Sequence, residues 1–138
     1  GTPRSTYGDV VRPIFDHCVA LGIDRECGGV FVEGPTAARP AVTEKQFWQQ
    51  AEVLVGMLDA YALFGDSAYW DAFTNVYEFV FHKFVQLEAG GEWYERVDRA
   101  GAPIDDVLGH AWKISYHTVR SMIQTVRRLR LLPSISAT

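Results

Sequence analysis

His117 is the residue of this chain best suited to move a proton. It stands in the string Trp112-Lys113-Ile114-Ser115-Tyr116-His117-Thr118-Val119-Arg120, and an imidazole with an unperturbed pKa of about 6.5 both takes and returns protons at neutral pH. On a helix, His117 shares a row with Arg120, Ser121 and Gln124, off the apolar row of Val119, Ile123 and Val126. That placement lets its ring reach a cavity. Upstream, Trp48 and Glu52 stand four apart and share a helix face. Indole and phenol rings offer flat apolar platforms, while Glu52, Lys113 and Arg120 offer charge and hydrogen bonds. Together they suit a polyhydroxylated ligand. The residues alone leave His117 open between proton transfer and a structural place at the core edge, and Trp48 and Trp112, taken singly, fit plain packing.

An internal repeat organises the elements that must position these residues. Glu26-Cys27-Gly28-Gly29-Val30-Phe31-Val32-Glu33 returns as Glu88-Ala89-Gly90-Gly91-Glu92-Trp93-Tyr94-Glu95, a shared Glu-x-Gly-Gly-x-aromatic-x-Glu pattern. Each copy follows a long amphipathic stretch, precedes a Pro-containing loop (Arg39-Pro40, Ala102-Pro103) and leads to a tryptophan that opens the next helix. Self-similarity at a fixed period marks stacked repeats. The expectation is two related helical hairpins whose long loops emerge on one face, and long loops in a compact domain are usually functional.

Four helices are expected. The first covers about 8–21 with Val11, Ile14, Phe15, Cys18 and Leu21 inward; Pro13 either kinks it or lies in its first turn, and Gly22 ends it. The second opens on a capping box, Thr43-Glu44-Lys45-Gln46, carries the stripe Phe47, Ala51, Leu54, Val55, Leu58 and Tyr61, and stops at Gly65. Asp66 or Ser67 caps the third, which runs to about Leu87 and touches neighbours on more than one side. The fourth spans about 115–132 with Val119, Met122, Ile123, Val126 and Leu129 inward, and Pro133 ends it. The short second connection makes the second and third helices antiparallel neighbours, whereas the other two connections are long and hold the β-prone pieces Val30-Phe31-Val32 and Trp93-Tyr94-Glu95.

Bulk properties narrow the classes. At 138 residues with 48% apolar side chains the chain is a single domain able to bury a core. A net charge of −4 argues against nucleic acid and anionic membrane surfaces, and no apolar run has the length to span a bilayer. The basic run Arg127-Arg128-Leu129-Arg130 lies at a helix C-terminus, where cations complement the dipole, and reads as a solvated end. Cys18 and Cys27 fit neither a zinc spacing nor a disulfide framework and are expected to be reduced thiols of a cytoplasmic protein. No signal-peptide pattern is visible, and because Gly1-Thr2-Pro3 opens without methionine the native N-terminus is expected further upstream.

Three stretches carry a family resemblance. Phe47-Trp48-Gln49-Gln50-Ala51-Glu52-Val53-Leu54-Val55-Gly56, with Ala60-Tyr61 and Phe64-Gly65-Asp66, resembles the N-acylglucosamine 2-epimerase family, which includes the cellobiose 2-epimerases. Gly91-Glu92-Trp93-Tyr94 with Val97-Asp98-Arg99, and the string from Trp112 to Arg120, are similar to the same family in order and spacing. The resemblance implies an all-α fold, helical hairpins of an (α/α)6 toroid with short β pieces in the long loops, of which this chain would be the C-terminal part. It implies proton transfer at C2 of an open-chain aldose through an enediolate, on a mono- or disaccharide, with no metal or redox cofactor. His117 matches a catalytic histidine; Trp48, Glu52, Trp112, Lys113 and Arg120 fall among the sugar-binding positions.

The family's other histidine lies in a His-x-x-Glu stretch upstream of anything in this chain. His17 and His82 lie within helices away from the long-loop face, and His110 is the remaining candidate. Four helices do not close a toroid, so free helix faces predict self-association or contact with the missing N-terminal part. Two other readings stand beside this one: a non-catalytic helical module that binds carbohydrate or protein, and a toroidal glycoside hydrolase using Glu92 with Asp105-Asp106 as carboxylates.

Overall fold

The computed structural model describes residues 4–39, 41–105 and 108–132. Four helices carry the described fold: α1 Arg4–His17, α2 Phe47–Phe64, α3 Ser67–Phe79 and α4 Tyr116–Leu131. Between them lie four two-residue strands, β1 Lys45–Gln46, β2 Val85–Gln86, β3 Glu92–Trp93 and β4 Arg96–Val97. None of the helices is long and apolar enough to cross a membrane. The expectations at Pro40, Asp106 and Pro133 lie outside the described residues.

The two copies of the repeat are built alike. Both α1 and α3 widen into a terminal π turn, Cys18–Gly22 and Val80–Phe84. The next residue, Ile23 or Val85, becomes extended and its N–H bonds back to the carbonyl of Cys18 or Val80. Ile23 then pairs antiparallel with Val30, and β2 pairs antiparallel with β3. Gly28-Gly29 and Gly90-Gly91 make the intervening turns, all four at positive φ, the region only glycine enters without strain. Gly29 also packs face-on to a ring: a Cβ there would stand 2.7 Å from Phe79 Cδ1.

The capping box expected at Thr43–Gln46 does not form. Lys45 and Gln46 are extended and pair with Val97 and Arg96 of β4, and Gln46 makes no side-chain cap bond. The free N–H of Phe47 goes instead to the Glu95 carbonyl at 3.0 Å. A non-local strand pair thus replaces the local cap, because it satisfies the same orphan donor and also draws Lys45 inward. The Lys45 side chain is fully buried, and its ammonium meets Asp24 at 3.1 Å, the Arg99 carbonyl at 2.8 Å and the Gly28 carbonyl. Arg99 reaches the same Asp24 through Nε and Nη2, at 2.9 and 3.1 Å. Burial alone would raise the Asp24 carboxyl, but the Arg99 guanidinium, the Cys27 amide and Lys45 outweigh it and hold it far below the usual range. This buried cluster fastens both long loops on one side of the helices.

Gly65 ends α2 in the left-handed conformation, and Asp66 caps α3 by accepting the Ala68 N–H at 3.0 Å. The core lies between α2 and α3, on Leu54, Met57, Leu58, Tyr69, Val76 and Phe84. Helical winding in the third helix ends at Phe84 rather than Leu87, since Val85 is taken by β2. In α1, Pro13 sits inside the helix, and Phe15 packs edge-on against Phe64 and Tyr69. Ile14 and Leu21, expected inward, are exposed.

The fourth helix is turned around relative to expectation. Val119, Met122, Ile123, Val126 and Leu129 are all exposed, and the buried residues are Thr118, Ser121 and Thr125. Charge and size explain the inversion. Arg120 and Arg128 pair with Glu52 and Asp59 of α2, and the small Ser121 between them is 0% exposed, which lets the two helices approach closely. The hydrophobic stripe therefore forms an open apolar face beside Phe81 and Val85.

Candidate active site

The site lies where the first turns of α2 and α4 meet. The backbone bond from Phe47 to Glu95 fixes the start of α2 and puts Trp48 in its opening turn. Ser115 precedes α4 and puts His117 second in that helix. Once α4 docks through its polar row, His117 comes to rest on Glu52, with Nδ1 2.9 Å from Oε1. Arg120 Nη1 donates to both oxygens of the same carboxylate, at 2.9 and 2.8 Å. The His117 ring stands 6.1 Å from the Trp48 ring and 6.2 Å from Phe47 between centroids. It lines a cavity of about 310 Å³ with Trp48, Trp112, Lys113, His110 and Glu95.

Electrostatics fix the form of His117. Partial burial would raise the Glu52 carboxyl, but hydrogen bonds from His117 and Arg120 and the charge of Arg120 outweigh it and hold the group below its ordinary value. Glu52 is therefore ionised at neutral pH and accepts the Nδ1 proton. A neutral His117 then carries its lone pair on Nε2. Among the described residues none bonds Nε2, so the basic nitrogen is the free one.

The structure gathers all six expected residues, in different roles. Trp48 and Trp112 flank the cavity, Trp112 being 90% exposed. Glu52 and Arg120, expected among the ligand contacts, stand behind His117 as its support and are not on the wall. Lys113 is on the wall but buried: its ammonium donates to Glu92 at 2.7 Å and to the Leu108 carbonyl. Burial would raise Glu92, yet the bonds from Lys113 and from the Trp93 amide hold it low.

Sequence reasoning passed over Glu95. It was findable as the last residue of the second repeat copy, and it meets His110 Nε2 at 2.7 Å. His17 and His82 stay away from the cavity; His82 pairs with Glu78 at 3.2 Å. Of the carboxylates in the hydrolase reading, Glu92 is paired with Lys113 and Asp105 with Arg96. Within the basic run, Arg128 grips Asp59 with Nε and Nη2 at 2.7 and 2.8 Å, which is a helix-docking role. Both cysteines are free thiols, and burial pushes Cys18 up.

The helical hairpins thus gather a histidine, a carboxylate and two tryptophans at one loop end. Comparison with known proteins identifies the fold. The profile of the N-acylglucosamine 2-epimerase (GlcNAc 2-epimerase) family matches residues 5–121, and the chain belongs to that family. A cellobiose 2-epimerase of Ruminococcus albus is 32% identical over 84 residues, covering 59% of this chain and 21% of that protein. A D-mannose isomerase of Marinomonas mediterranea is 24% identical over 130 residues, covering 94% of this chain and 33% of its own. The solved cellobiose 2-epimerase of Spirochaeta thermophila superposes with a TM-score of 0.79 at 29% identity, over 91% of this chain and 31% of that one. The fold is thus that of (α/α)6 toroid epimerases, and the chain spans a third or less of the length of these relatives.

Proposed function

We propose that this chain is the C-terminal segment of a toroidal sugar 2-epimerase or aldose–ketose isomerase, and that His117 moves the proton at C2 of an open-chain aldose. The observation that carries this reading is the His117 ring on the cavity wall, with Nδ1 tied to ionised Glu52 and the basic Nε2 free. Nε2 takes the C2 proton, the electron pair left on carbon delocalises into the carbonyl, and an enediolate forms. Lys113 helps to shape the wall, its ammonium being paired with Glu92 behind it. Trp48 and Trp112 offer apolar faces to the ring or chain of the sugar.

Proton return to C1 gives the ketose, and return to the opposite face of C2 gives the epimer. His110 lines the same cavity, but both of its ring nitrogens are engaged, so it does not supply that second proton. The second acid then comes from the upstream histidine that the family resemblance implies. The open apolar face of α4 is covered, on this reading, by further helices of the toroid or by another copy of the chain.

The test is hydrogen exchange in D2O with cellobiose, mannose and N-acetylglucosamine, followed by NMR at C2. Deuterium at C2 supports the reading. Binding of a sugar with the C2 hydrogen retained favours a carbohydrate-binding module instead.

A further inference from the structure

The sugar reading accounts for Trp48, His117 and Trp112 but not for the two groups that close the other side of the cavity. His110 Nδ1 accepts the backbone N–H of Trp112 at 3.1 Å, and His110 Nε2 lies 2.7 Å from Glu95 Oε2. With Nδ1 an acceptor, the ring proton sits on Nε2 and is donated to Glu95. Neither nitrogen is left to exchange a proton with a ligand. Glu95 is anchored in turn, because its own backbone carbonyl accepts the Phe47 N–H at 3.0 Å.

A continuous hydrogen-bonded path therefore runs from the first residue of α2, through Glu95 and His110, to the backbone of Trp112. It joins the turn that carries Trp48 to the loop that carries Trp112. An indole that is 90% exposed has little packing to orient it, so the backbone bond fixes where its Cα–Cβ bond starts and leaves only the two side-chain torsions for the ligand to set. Ordering that backbone before the ligand arrives removes part of the entropy cost that binding would otherwise bear.

We propose that His110, held by Glu95, is a positioning residue that fixes the backbone of Trp112 at the cavity mouth, so that its indole is presented to a sugar ring. The pairing with a sugar rests on the function proposed above; the latch itself rests only on the hydrogen-bonded path. No proton is transferred by His110 in this arrangement. It acts entirely through Trp112.

Two kinds of readout separate these claims. Without ligand, nitrogen NMR of the His110 ring is expected to show the Nε2–H tautomer, and the Trp112 amide is expected to be protected from hydrogen exchange. His110→Ala should abolish that protection with the thermal midpoint unchanged. His110→Asn, whose side-chain oxygen replaces Nδ1, should restore it. With sugar, titration of cellobiose, mannose or N-acetylglucosamine should show about tenfold weaker binding by His110→Ala, the scale of one lost pre-ordering contribution, and recovery in His110→Asn. An Nδ1–H tautomer, or a Trp112 amide equally protected in His110→Ala, overturns the latch. An intact latch with equal sugar affinity in both variants overturns the positioning role. An intact latch in a protein that binds none of the three sugars overturns the proposed function and, with it, the ligand assigned to Trp112.

Discussion

His117 Nδ1 lies 2.9 Å from Glu52 Oε1, and this contact joins the N-terminal parts of two helices far apart in sequence. It sets the tautomer of the imidazole and, through Arg120 on the same carboxylate, its orientation. Glu52→Gln removes the charge that holds the Nδ1 proton while keeping the shape. We expect a fall in C2 exchange of about 10²-fold, the lower end of what a positioned acid–base group contributes, with sugar affinity nearly unchanged. Parallel exchange rates and titrations of the two proteins check this.

The same carboxylate makes helix docking sensitive to acid. Its pKa is lowered in the folded protein from an ordinary 4.5, so the folded state binds fewer protons than the unfolded one. Its stabilising contribution is present above about 4.5 and is lost as pH falls through the lower folded value. Urea unfolding of wild type and Glu52→Gln from pH 7 to pH 3 should therefore show a stability difference that shrinks on acidification. A difference that stays constant would detach docking from the ionisation of Glu52.

The reversed face of α4 makes a paired prediction. Ser121 is fully buried against α2, whereas Val119, two residues away, is 53% exposed. Ser121→Leu overpacks the helix contact and should cost about 1–3 kcal/mol. Val119→Ser should change the stability of this chain by less than about 0.5 kcal/mol, as for a surface position. Chemical denaturation of the two variants distinguishes this arrangement from an inward hydrophobic stripe, which requires the opposite order.

Glycines at matching places in the two repeat copies should not be equivalent. Gly29→Ala adds a Cβ 2.7 Å from the buried Phe79 ring at φ +78, whereas Gly91→Ala at φ +86 meets no atom within 4 Å. The second change should cost about 1–2 kcal/mol from backbone strain alone. The first should cost at least about 1 kcal/mol more because the ring or the loop has to move. Thermal melts of the pair check the ranking.

Much of this was visible in the order of residues, and the failures share a cause. The doubled Gly-Gly motif foretold two matching turns, and local signals at Gly65 and Asp66 placed the α2–α3 corner correctly. Trp48, Glu52 and His117 were grouped from helical spacing and family resemblance, and they do converge. The capping box failed because Glu95 and β4, far away in sequence, supplied a carbonyl and a strand partner that no local pattern announces. The α4 stripe was misassigned because periodicity identifies an apolar face without saying which neighbour it meets; the carboxylates of Glu52 and Asp59 decided that. The Asp24–Lys45–Arg99 cluster and the Glu95–His110 pair are likewise contacts between distant loops.

The most direct measurement is the rate of C2 deuterium incorporation into a sugar substrate by this protein, compared with its His117→Gln variant at equal sugar occupancy. The account predicts that the variant binds sugar and incorporates no deuterium above the uncatalysed background. Exchange at a near-normal rate in His117→Gln would remove His117 from the chemistry and contradict the account.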